Sequence, residues 1–600
     1  MHLQRGATHE MRKCERAYKG DPHPQNIIPP MFATGLPRGR PGGPSRVVVA
    51  VHVASLVVAF LALMYLGRHL WFFFDEWDVV GNPGPSLFAP HNEHWSTIPY
   101  LVYGTLYAVF GLRTYAPYLA VTLLLHVGVA HLLWRVLLTG GVRPWVATAL
   151  VGVFLFLGAG QENLVWAFQM GFVGSVFFGM VEVLLVDHAA RFGSRDVAAW
   201  AASVAALMCS DIGVLMVLMA GTVALLRRGP RALIATAAPP AAVFLAWYAA
   251  FGHRGQAAHA TPGLVRLVAF VYSGLSSTLG QASGLDRFHM GGVILATLVA
   301  WALWSARRLR REAPVALAGL VAAIAFFAFV SAGRAELGVD YSQASRYLYI
   351  AAAMLVPAAG AALSAAASTD KRVELAVLAL LLVCAAVGAG SLRGHYHAQA
   401  DLDAAGERHI LAAADLLGDP VLGLPSRLIG SVPDPHVAPQ LSLARVARFR
   451  RDGALPSEVG MAAPTALDRE QTQVQLSLAL TPVPLVPAGA TAAHASVSQA
   501  DATGLGAGCW VLTPRGTAPE LRIHADGPFA LEMFAGQPAS LGLGGRPAGA
   551  PIQVVVAPVV VPAGPHVFLD SVLPPPADVT LGLPLGGSLT VCGLAAVPAA

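Results

Sequence analysis

Long apolar runs separated by short polar turns fill most of this chain up to residue 391. The first run extends from Val47 to Leu66 and follows a polar, basic segment. Further runs occur at 114–136, 144–160, 163–186, 197–209, 212–226, 232–251, 290–306, 314–332, 346–367 and 373–391. A helix needs about 20 apolar residues to cross a bilayer. The pattern therefore predicts about eleven transmembrane helices.

One apolar region, residues 197–226, is too long for one membrane span and too short for two. The polar stretch Cys209 to Gly213 interrupts it midway. Irregular backbone at membrane depth persists only where it lines a cavity or is buried in protein. We interpret the region as two short helices or a re-entrant hairpin. Asp211 is then expected at the turn, on the same face as the loop that follows the first helix, and we predict it as a substrate-binding residue.

The pattern changes after residue 392, where long apolar runs give way to shorter elements. Residues 393–469 combine Pro-rich turns with amphipathic helices predicted at 398–417 and 441–451. From residue 470 onward, short alternating runs are broken by Gly and Pro, at 474–478, 521–523, 529–533, 552–556 and 566–569. Such spacing is typical of a β-sandwich. We divide the chain into a disordered tail (1–45), a membrane domain (46–392), a linker (393–469) and a β-sandwich domain (470–600).

Composition agrees with a membrane protein. Of the 600 residues, 55% are hydrophobic and 12% are charged, and the mean hydropathy is +0.59. Soluble domains carry about 25% charged residues. The pI of about 9.0 does not indicate a nucleic-acid partner, because the basic residues fall in loops on one side of the predicted helices. The predicted fold is an all-α polytopic membrane bundle with a C-terminal β-sandwich domain.

The arginine distribution predicts which side each loop faces. With the N-terminus inside, loops rich in arginine lie in the cytoplasm, for example around Arg227, Arg228 and Arg307 to Arg311, whereas the opposite loops carry single arginines. An odd number of spans then places the C-terminal domain outside the cytoplasm, in a multi-pass protein of the cell membrane. Cys509 and Cys592 both lie in that domain, so we predict a disulfide between them.

A cluster of carboxylates directly follows the first predicted helix. Asp75, Glu76 and Asp78 come after three consecutive phenylalanines. Carboxylates crowded in a partly desolvated site repel one another, which raises the pKa of one of them and suits it to act as a general base. We predict Asp75 and Glu76 as catalytic residues and Asp78 as a substrate-binding residue. The alternative is an aspartate that caps a short helix at the membrane surface.

A second polar motif, His91 to Trp95, lies in the same loop. We predict that His91, Glu93 and His94 form hydrogen bonds to a substrate. A divalent cation held by Asp75, His91 and His94 is an alternative, because imidazole and carboxylate groups are common metal ligands. The spacing differs from the H-E-x-x-H motif of metalloproteases. Anchoring of His and Trp at the lipid headgroups is a third interpretation.

An Asp75-Glu76 pair in the first loop, after the first span of a protein with about eleven spans, resembles the GT-C superfamily of glycosyltransferases. The resemblance covers residues 46–392. It implies a polyprenyl-phosphate sugar as donor, an envelope glycan, lipid or protein as acceptor, and a loop carboxylate that activates the acceptor hydroxyl or assists metal binding. The predicted β domain is similar to the sandwich that is appended to arabinosyltransferases of this superfamily.

The resemblance also implies positive charge opposite the carboxylate, because the leaving group is a lipid phosphate. The loop 333–347 offers Arg334, Arg346 and Tyr347. Arg346 is predicted to begin a helix, where its guanidinium and the helix N-terminal amides would bind phosphate. We interpret the polar turn 161–163 as a simple interhelical loop.

Two other classes of function stay open at this point. A transporter or lipid flippase would use Asp211 as an ion or proton site within the membrane. A non-catalytic scaffold for envelope assembly would use the β-sandwich as its binding module.

Overall fold

The computed structural model describes residues 44–81, 87–255, 262–417, 431–456, 463–482, 484, 486, 494–546, 554–573, 575–585, 587–594 and 597. The tail predicted to be disordered lies, up to residue 43, outside the described residues.

The described chain is helical up to Ser477 and forms β-strands from there on. The helices are α1 Arg46–Leu66, α2 Glu76–Val79, α3 Thr97–Phe110, α4 Ala116–Thr139, α5 Pro144–Leu155, α6 Glu162–Val165, α7 Met170–Val186, α8 Ser194–Leu207, α9 Ile212–Arg228, α10 Pro230–Ala250, α11 Leu264–Ala282, α12 Gly291–Trp304, α13 Ala306–Glu312, α14 Pro314–Arg334, α15 Ser345–Ala367, α16 Lys371–Leu416, α17 Leu443–Arg451 and α18 Ala466–Ser477. The strands are β1 Leu478–Thr481, β2 His494–Ser498, β3 Ala500–Gly506, β4 Cys509–Pro514, β5 Glu520–Ala525, β6 Phe529–Ala535, β7 Ala539–Arg546, β8 Val554–Val561, β9 Val567–Ser571, β10 Ala577–Gly582 and β11 Leu589–Cys592.

Several helices begin where the sequence carries a start signal. Ser45 caps α1 by accepting a hydrogen bond from the backbone N–H of Val48. Proline occupies the first turn of α4, α5, α10 and α14, where its missing N–H costs nothing. The helical part is a polytopic membrane bundle, and most of its buried apolar residues form one large core.

Fewer helices can cross a membrane alone than the sequence predicted. A helix occupies each predicted position. By length and apolar composition, however, seven of the described helices qualify, or eight if α12 and α13, bent by 76°, form one span. This number is lower than the predicted eleven because α5, α8 and α9 have only 12, 14 and 17 residues. Helix α7 also has 17 residues but qualifies as part of the longer run Ala167–Val186.

Residues 194–228 form the predicted pair of short helices. Helix α8 ends at Leu207 and α9 begins at Ile212, and Asp211 lies in the turn between them. Both helices pack on α7.

Two helices depart from the predicted pattern. Helix α11 was not predicted, because Ser, Thr and Gly interrupt its apolar residues. Helix α16 has 46 residues and continues without a break through position 392, where the boundary of the membrane domain was placed. At 1.5 Å per residue it is about 69 Å long, well beyond the thickness of a bilayer.

The C-terminal strands form two antiparallel sheets around a second apolar core. Their strand orders are β1-β9-β6-β11-β4-β3 and β2-β5-β10-β7-β8. The strand predicted at 474–478 is wrong for all but its last residue. Thr465 and Asp468 form a capping box that starts α18, and this helix continues to Ser477. Cys509 and Cys592 face each other on β4 and β11 and form the predicted disulfide.

The loop between α1 and α3, which carries the acidic and histidine motifs, is fixed by distant parts of the chain. Its backbone N–H groups at Trp71 and Phe74 donate to a carboxylate oxygen of Asp403 (3.0 Å) and to the carbonyl of Val437 (2.7 Å). Helix α16 and the segment after it therefore hold this loop in place.

Candidate active site

A cavity of about 1080 Å³ lies where the loop after α1 meets the turns before α7, α9 and α15. Its lining includes most of the predicted site residues, namely Asp75, His91, Glu93, His94, Asp211, Arg334, Arg346 and Tyr347. The sequence separates these residues into four segments, and the fold brings them to one place. Glu76 and Asp78 are not part of the lining.

Strained backbone is concentrated at this cavity. Six non-glycine residues of the described chain have positive φ, and three of them, Phe74 (49°), Asn92 (45°) and Glu93 (77°), line the cavity. Such conformations cost about 1–3 kcal/mol each and persist where the surrounding structure enforces them, often at functional sites. The strained backbone therefore indicates a functional site at this cavity, independently of the charged residues there.

The motif His91 to His94 is a tight hairpin turn. The backbones of His91 and His94 exchange two hydrogen bonds, at 3.0 and 2.9 Å. The two central residues, Asn92 and Glu93, both have the positive φ of a type I′ turn. Asparagine suits the first central position, whereas the second favours glycine. Glu93 is thus an unusual residue at its position, and the turn points it into the cavity.

Asp75 follows the turn at Phe74, and its carboxylate lines the cavity. Burial, followed by the nearby charge of Asp78, raises the pKa of Asp75 from 3.8 to about 6. The charge of Arg346, a hydrogen bond from Asn92 and the charge of His94 partly oppose this rise. A carboxylate with this pKa is ionised at neutral pH and is basic enough to accept a proton.

A hydrogen-bonded chain runs from Asp75 to Tyr100. The side-chain amide of Asn92 donates to Asp75 Oδ2 (3.2 Å) and lies 3.3 Å from His91 Nε2, while His91 Nδ1 lies 3.2 Å from Tyr100 Oη. Burial lowers the pKa of His91 to about 4, so its ring is neutral. An Nε2 that accepts from Asn92 leaves Nδ1 protonated and donating to Tyr100.

Glu76, which the sequence predicts to be catalytic beside Asp75, does not line the cavity. It is fully buried and accepts hydrogen bonds from Tyr103 Oη, from Tyr115 Oη (2.9 Å) and from the backbone N–H of Phe73 (2.7 Å). Burial raises the pKa of Glu76 to about 8. Its contacts hold the turn that carries Asp75, so Glu76 acts as a structural anchor.

Two arginines bring positive charge to the cavity. Arg346 begins α15 as predicted, and its Nη1 lies 3.2 Å from a carboxylate oxygen of Glu162. Arg334, at the end of α14, lies 3.5 Å from Glu93. Each arginine therefore faces an acidic residue that also lines the cavity.

A possible metal site differs from the predicted combination of Asp75, His91 and His94. Ligand atoms of Asp75, Asp78 and His91 all lie within 4.8 Å of one another. His94 is not in this group; its Nδ1 lies 3.5 Å from Asp211 Oδ2. The predicted combination of Asp75, His91 and His94 is thus replaced by one that includes Asp78.

Three polar residues illustrate what sequence reasoning missed at the cavity. Glu162 was interpreted as part of an interhelical loop, yet it pairs with Arg346. Asn92 carries the hydrogen bond that orients Asp75. Gln399, on α16, also lines the cavity, although it follows Asp75 by more than 300 positions in the chain. A signal existed only for Asn92, because asparagine favours the left-handed backbone of a tight turn.

Comparison with known proteins gives one coarse likeness. No protein-family model matches the chain, and no curated protein matches it. Among solved structures, the chain is similar to the crystal structure of ArnT from Cupriavidus metallidurans bound to undecaprenyl phosphate. The two share 15% sequence identity over 72% of this chain and 92% of that chain, with a TM-score of 0.37.

Proposed function

We propose that this protein is a membrane glycosyltransferase, which moves a sugar from a polyprenyl-phosphate donor to a hydroxyl group of a cell-envelope acceptor. The cavity would open to the extracytoplasmic side, with the N-terminus in the cytoplasm and the β-sandwich outside. This topology is motivated by the arginine asymmetry of the loops.

The observation that carries the proposal is the meeting of Asp75 and Arg346 in one cavity. Asp75 supplies a carboxylate whose raised pKa suits a general base. Arg346 supplies a guanidinium at the first turn of a long apolar helix, where a phosphate on a lipid could reach it. Arg346 also acts electrostatically on Asp75, which indicates that the two groups serve the same space.

The reaction would be a displacement at the anomeric carbon of the sugar. Asp75 would accept the proton of the acceptor hydroxyl while the acceptor oxygen forms a bond to that carbon. The bond from the carbon to the phosphate oxygen would break, and its electron pair would remain on the departing polyprenyl phosphate. Arg346, with Arg334 as a second cation, would stabilise the negative charge that develops there.

The size of the cavity supports two substrates. Pockets for small molecules typically have volumes of about 300–1,000 Å³. The cavity, at about 1080 Å³, is slightly larger than that range. It can hold a sugar on a lipid phosphate together with part of an acceptor.

The transporter alternative loses its main support. It relied on Asp211 as an ion or proton site within the membrane. In the described part of the chain, Asp211 lines the same cavity as Asp75 and pairs with His94. No observation favours the scaffold over an enzyme either, so glycosyl transfer is the function we propose.

Two experiments test the proposal. The first compares envelope glycans and polyprenyl-phosphate sugars, by mass spectrometry, between cells with and without the protein. Loss of a glycan together with accumulation of one lipid-linked sugar is expected and identifies the donor. Unchanged pools of both would contradict the proposal.

The second experiment measures transfer of that sugar by purified protein in lipid nanodiscs. Asp75→Asn should lower kcat by about 10²–10⁴-fold, the usual contribution of a general base. Arg346→Ala should weaken binding of the lipid phosphate. Glu374→Gln, which alters an ion pair with Arg143 outside the cavity, should leave transfer unchanged. Wild-type transfer by Asp75→Asn would show that the catalytic base lies elsewhere.

A further inference from the structure

Glu162 and the first residues of α15 hold each other through reciprocal contacts. The backbone N–H of Glu162 donates to Ser345 Oγ (3.1 Å). One carboxylate oxygen of Glu162 accepts from the backbone N–H of Arg346 (3.1 Å) and from Arg346 Nη1 (3.2 Å). The carboxylate thus occupies the position where a helix N-terminal amide and a guanidinium converge.

That position is where the proposed function requires a phosphate. The Arg346 guanidinium already has two partners, because its Nη2 donates to Tyr341 Oη at 2.7 Å. Glu162 and Arg346 both line the cavity, and both side chains are partly exposed to it, at 33% and 24%. An entering phosphate would therefore have to compete with the Glu162 carboxylate for Arg346.

We propose that Glu162 is an internal competitor for the phosphate site, which weakens binding of the lipid phosphate and promotes its release after transfer. This inference rests on the proposed function. In the unliganded protein the Glu162 carboxylate takes the place of a phosphate oxygen on Arg346. The donor displaces it on binding, and Glu162 returns to Arg346 when the product leaves.

The chemistry of the reaction makes the competition selective. A polyprenyl-phosphate sugar is a phosphodiester with one negative charge. The product is a phosphomonoester, and such groups carry about −1.5 to −2 charges at pH 7. Arg346 alone would hold the product more tightly than the donor. The like charge of Glu162 opposes the product more strongly than the donor, and so offsets this difference.

The variant Glu162→Gln tests the inference, because it keeps an oxygen acceptor for the Arg346 N–H but removes the charge. If Glu162 occupies Arg346 for about nine tenths of the time, its removal increases the apparent affinity about tenfold. We expect Glu162→Gln in nanodiscs to bind polyprenyl phosphate about tenfold more tightly than wild type. Binding of polyprenol, which lacks the phosphate, should not change.

Steady-state kinetics provide a second measurement. For Glu162→Gln, the KM of the donor should fall less than the inhibition constant of polyprenyl phosphate, because the product carries more charge. The value of kcat should fall as product release slows. A purely structural role for Glu162 would instead leave KM and product inhibition in their wild-type ratio.

Two controls keep the test specific. Glu374→Gln removes the carboxylate of a comparable Arg–Glu pair outside the cavity, so it should not change phosphate binding. In an Arg346→Ala background, Glu162→Gln should no longer tighten binding, because the competition acts through Arg346. Glu162→Ala provides a second removal of the charge if the glutamine variant does not fold.

The outcomes distinguish the two proposals. If wild type binds polyprenyl phosphate and the charge-removing variants bind it no more tightly, the competitor role is overturned and the proposed function stands. If Glu374→Gln tightens binding equally, the effect is general and the competitor role is again overturned. If wild type shows no binding of polyprenyl phosphate over polyprenol, the proposed function falls together with this inference.

Discussion

The side-chain amide of Asn92 donates a hydrogen bond to Asp75 across 3.2 Å, and this contact links the two polar motifs of the loop. The bond stabilises the ionised form of Asp75 and so opposes the rise in its pKa that burial causes. Asn92 reaches Asp75 because it sits at a left-handed position, with φ of 45°, in the tight turn. Asn92 is therefore a positioning residue for the proposed base.

Replacing Asn92 by glycine should shift the pH dependence of transfer. If Asp75 is the proposed base, activity should fall as the pH drops through its pKa of about 6. Asn92→Gly tolerates the positive φ but loses the hydrogen bond, so the acidic limb should move to higher pH. We expect kcat at neutral pH to fall about tenfold through poorer orientation of the carboxylate. A pH–rate profile identical to wild type would contradict the role of Asn92.

Glu93 offers a test of strain at the site. Its φ of 77° costs an ordinary L-residue about 1–2 kcal/mol, whereas glycine adopts this conformation freely. Both Glu93→Gly and Glu93→Ala remove the carboxylate that lies 3.5 Å from Arg334, so both should lower activity to a similar extent. Thermal unfolding in detergent should nevertheless show Glu93→Gly to be more stable than Glu93→Ala by about 1 kcal/mol. If Glu93→Ala were the more stable of the two variants, as is usual when alanine is compared with glycine, the backbone at Glu93 would not be strained.

Glu76 should affect stability more than chemistry. Glu76→Ala leaves Tyr103, Tyr115 and the Phe73 N–H without their acceptor, at a cost of about 1–3 kcal/mol. Because burial raises the pKa of Glu76 from 4.5 to about 8, its contribution to stability is fully present below pH 4.5 and is lost as the pH rises through 8. Glu76→Gln should lack this part of the pH dependence.

Unfolding temperatures measured across this pH range, beside activity, check the assignment of Glu76. Loss of transfer by Glu76→Ala with an unchanged unfolding temperature would instead restore Glu76 as a catalytic candidate.

The disulfide should stabilise the β-sandwich against unfolding. Cys509 and Cys592 are 83 positions apart, and closing a loop of that length contributes about 4.5 kcal/mol in the chain-entropy model. Replacing both cysteines by serine should lower the denaturant midpoint of the sandwich transition. A reducing agent should lower the wild-type midpoint similarly and leave that of the double variant unchanged. A reductant effect on the double variant would implicate one of the three other cysteines, Cys14, Cys209 or Cys384.

The sequence predicts the position of the site better than the roles of its residues. Asp75 and Arg346 were predicted because each lies near the end of a long apolar run, and such runs determine where helices begin and end. Periodicity cannot separate Asp75 from Glu76, because their directions depend on the turn at Phe74, which has a φ of 49°.

Contacts between distant segments were beyond the reach of the sequence. Glu162 and Arg346 are 184 positions apart, and Asp403 contacts the backbone of Trp71 across 332 positions. No local pattern specifies such pairs. Helix α11 was missed for a different reason, since its Ser, Thr and Gly residues lower its apolar signal while packing against α12 and α14 still forms the helix.

The continuous helix α16 connects the candidate active site to the β-sandwich domain. Near its middle the helix contributes Gln399 to the cavity wall and Asp403 to the loop that carries Asp75. Near its end, Arg408 pairs with Asp468 of α18, the helix that leads directly into β1. The β-sandwich is therefore connected, through α18, to a continuous helix that also forms part of the cavity wall. A force on the sandwich would be transmitted along this helix to the loop that carries Asp75.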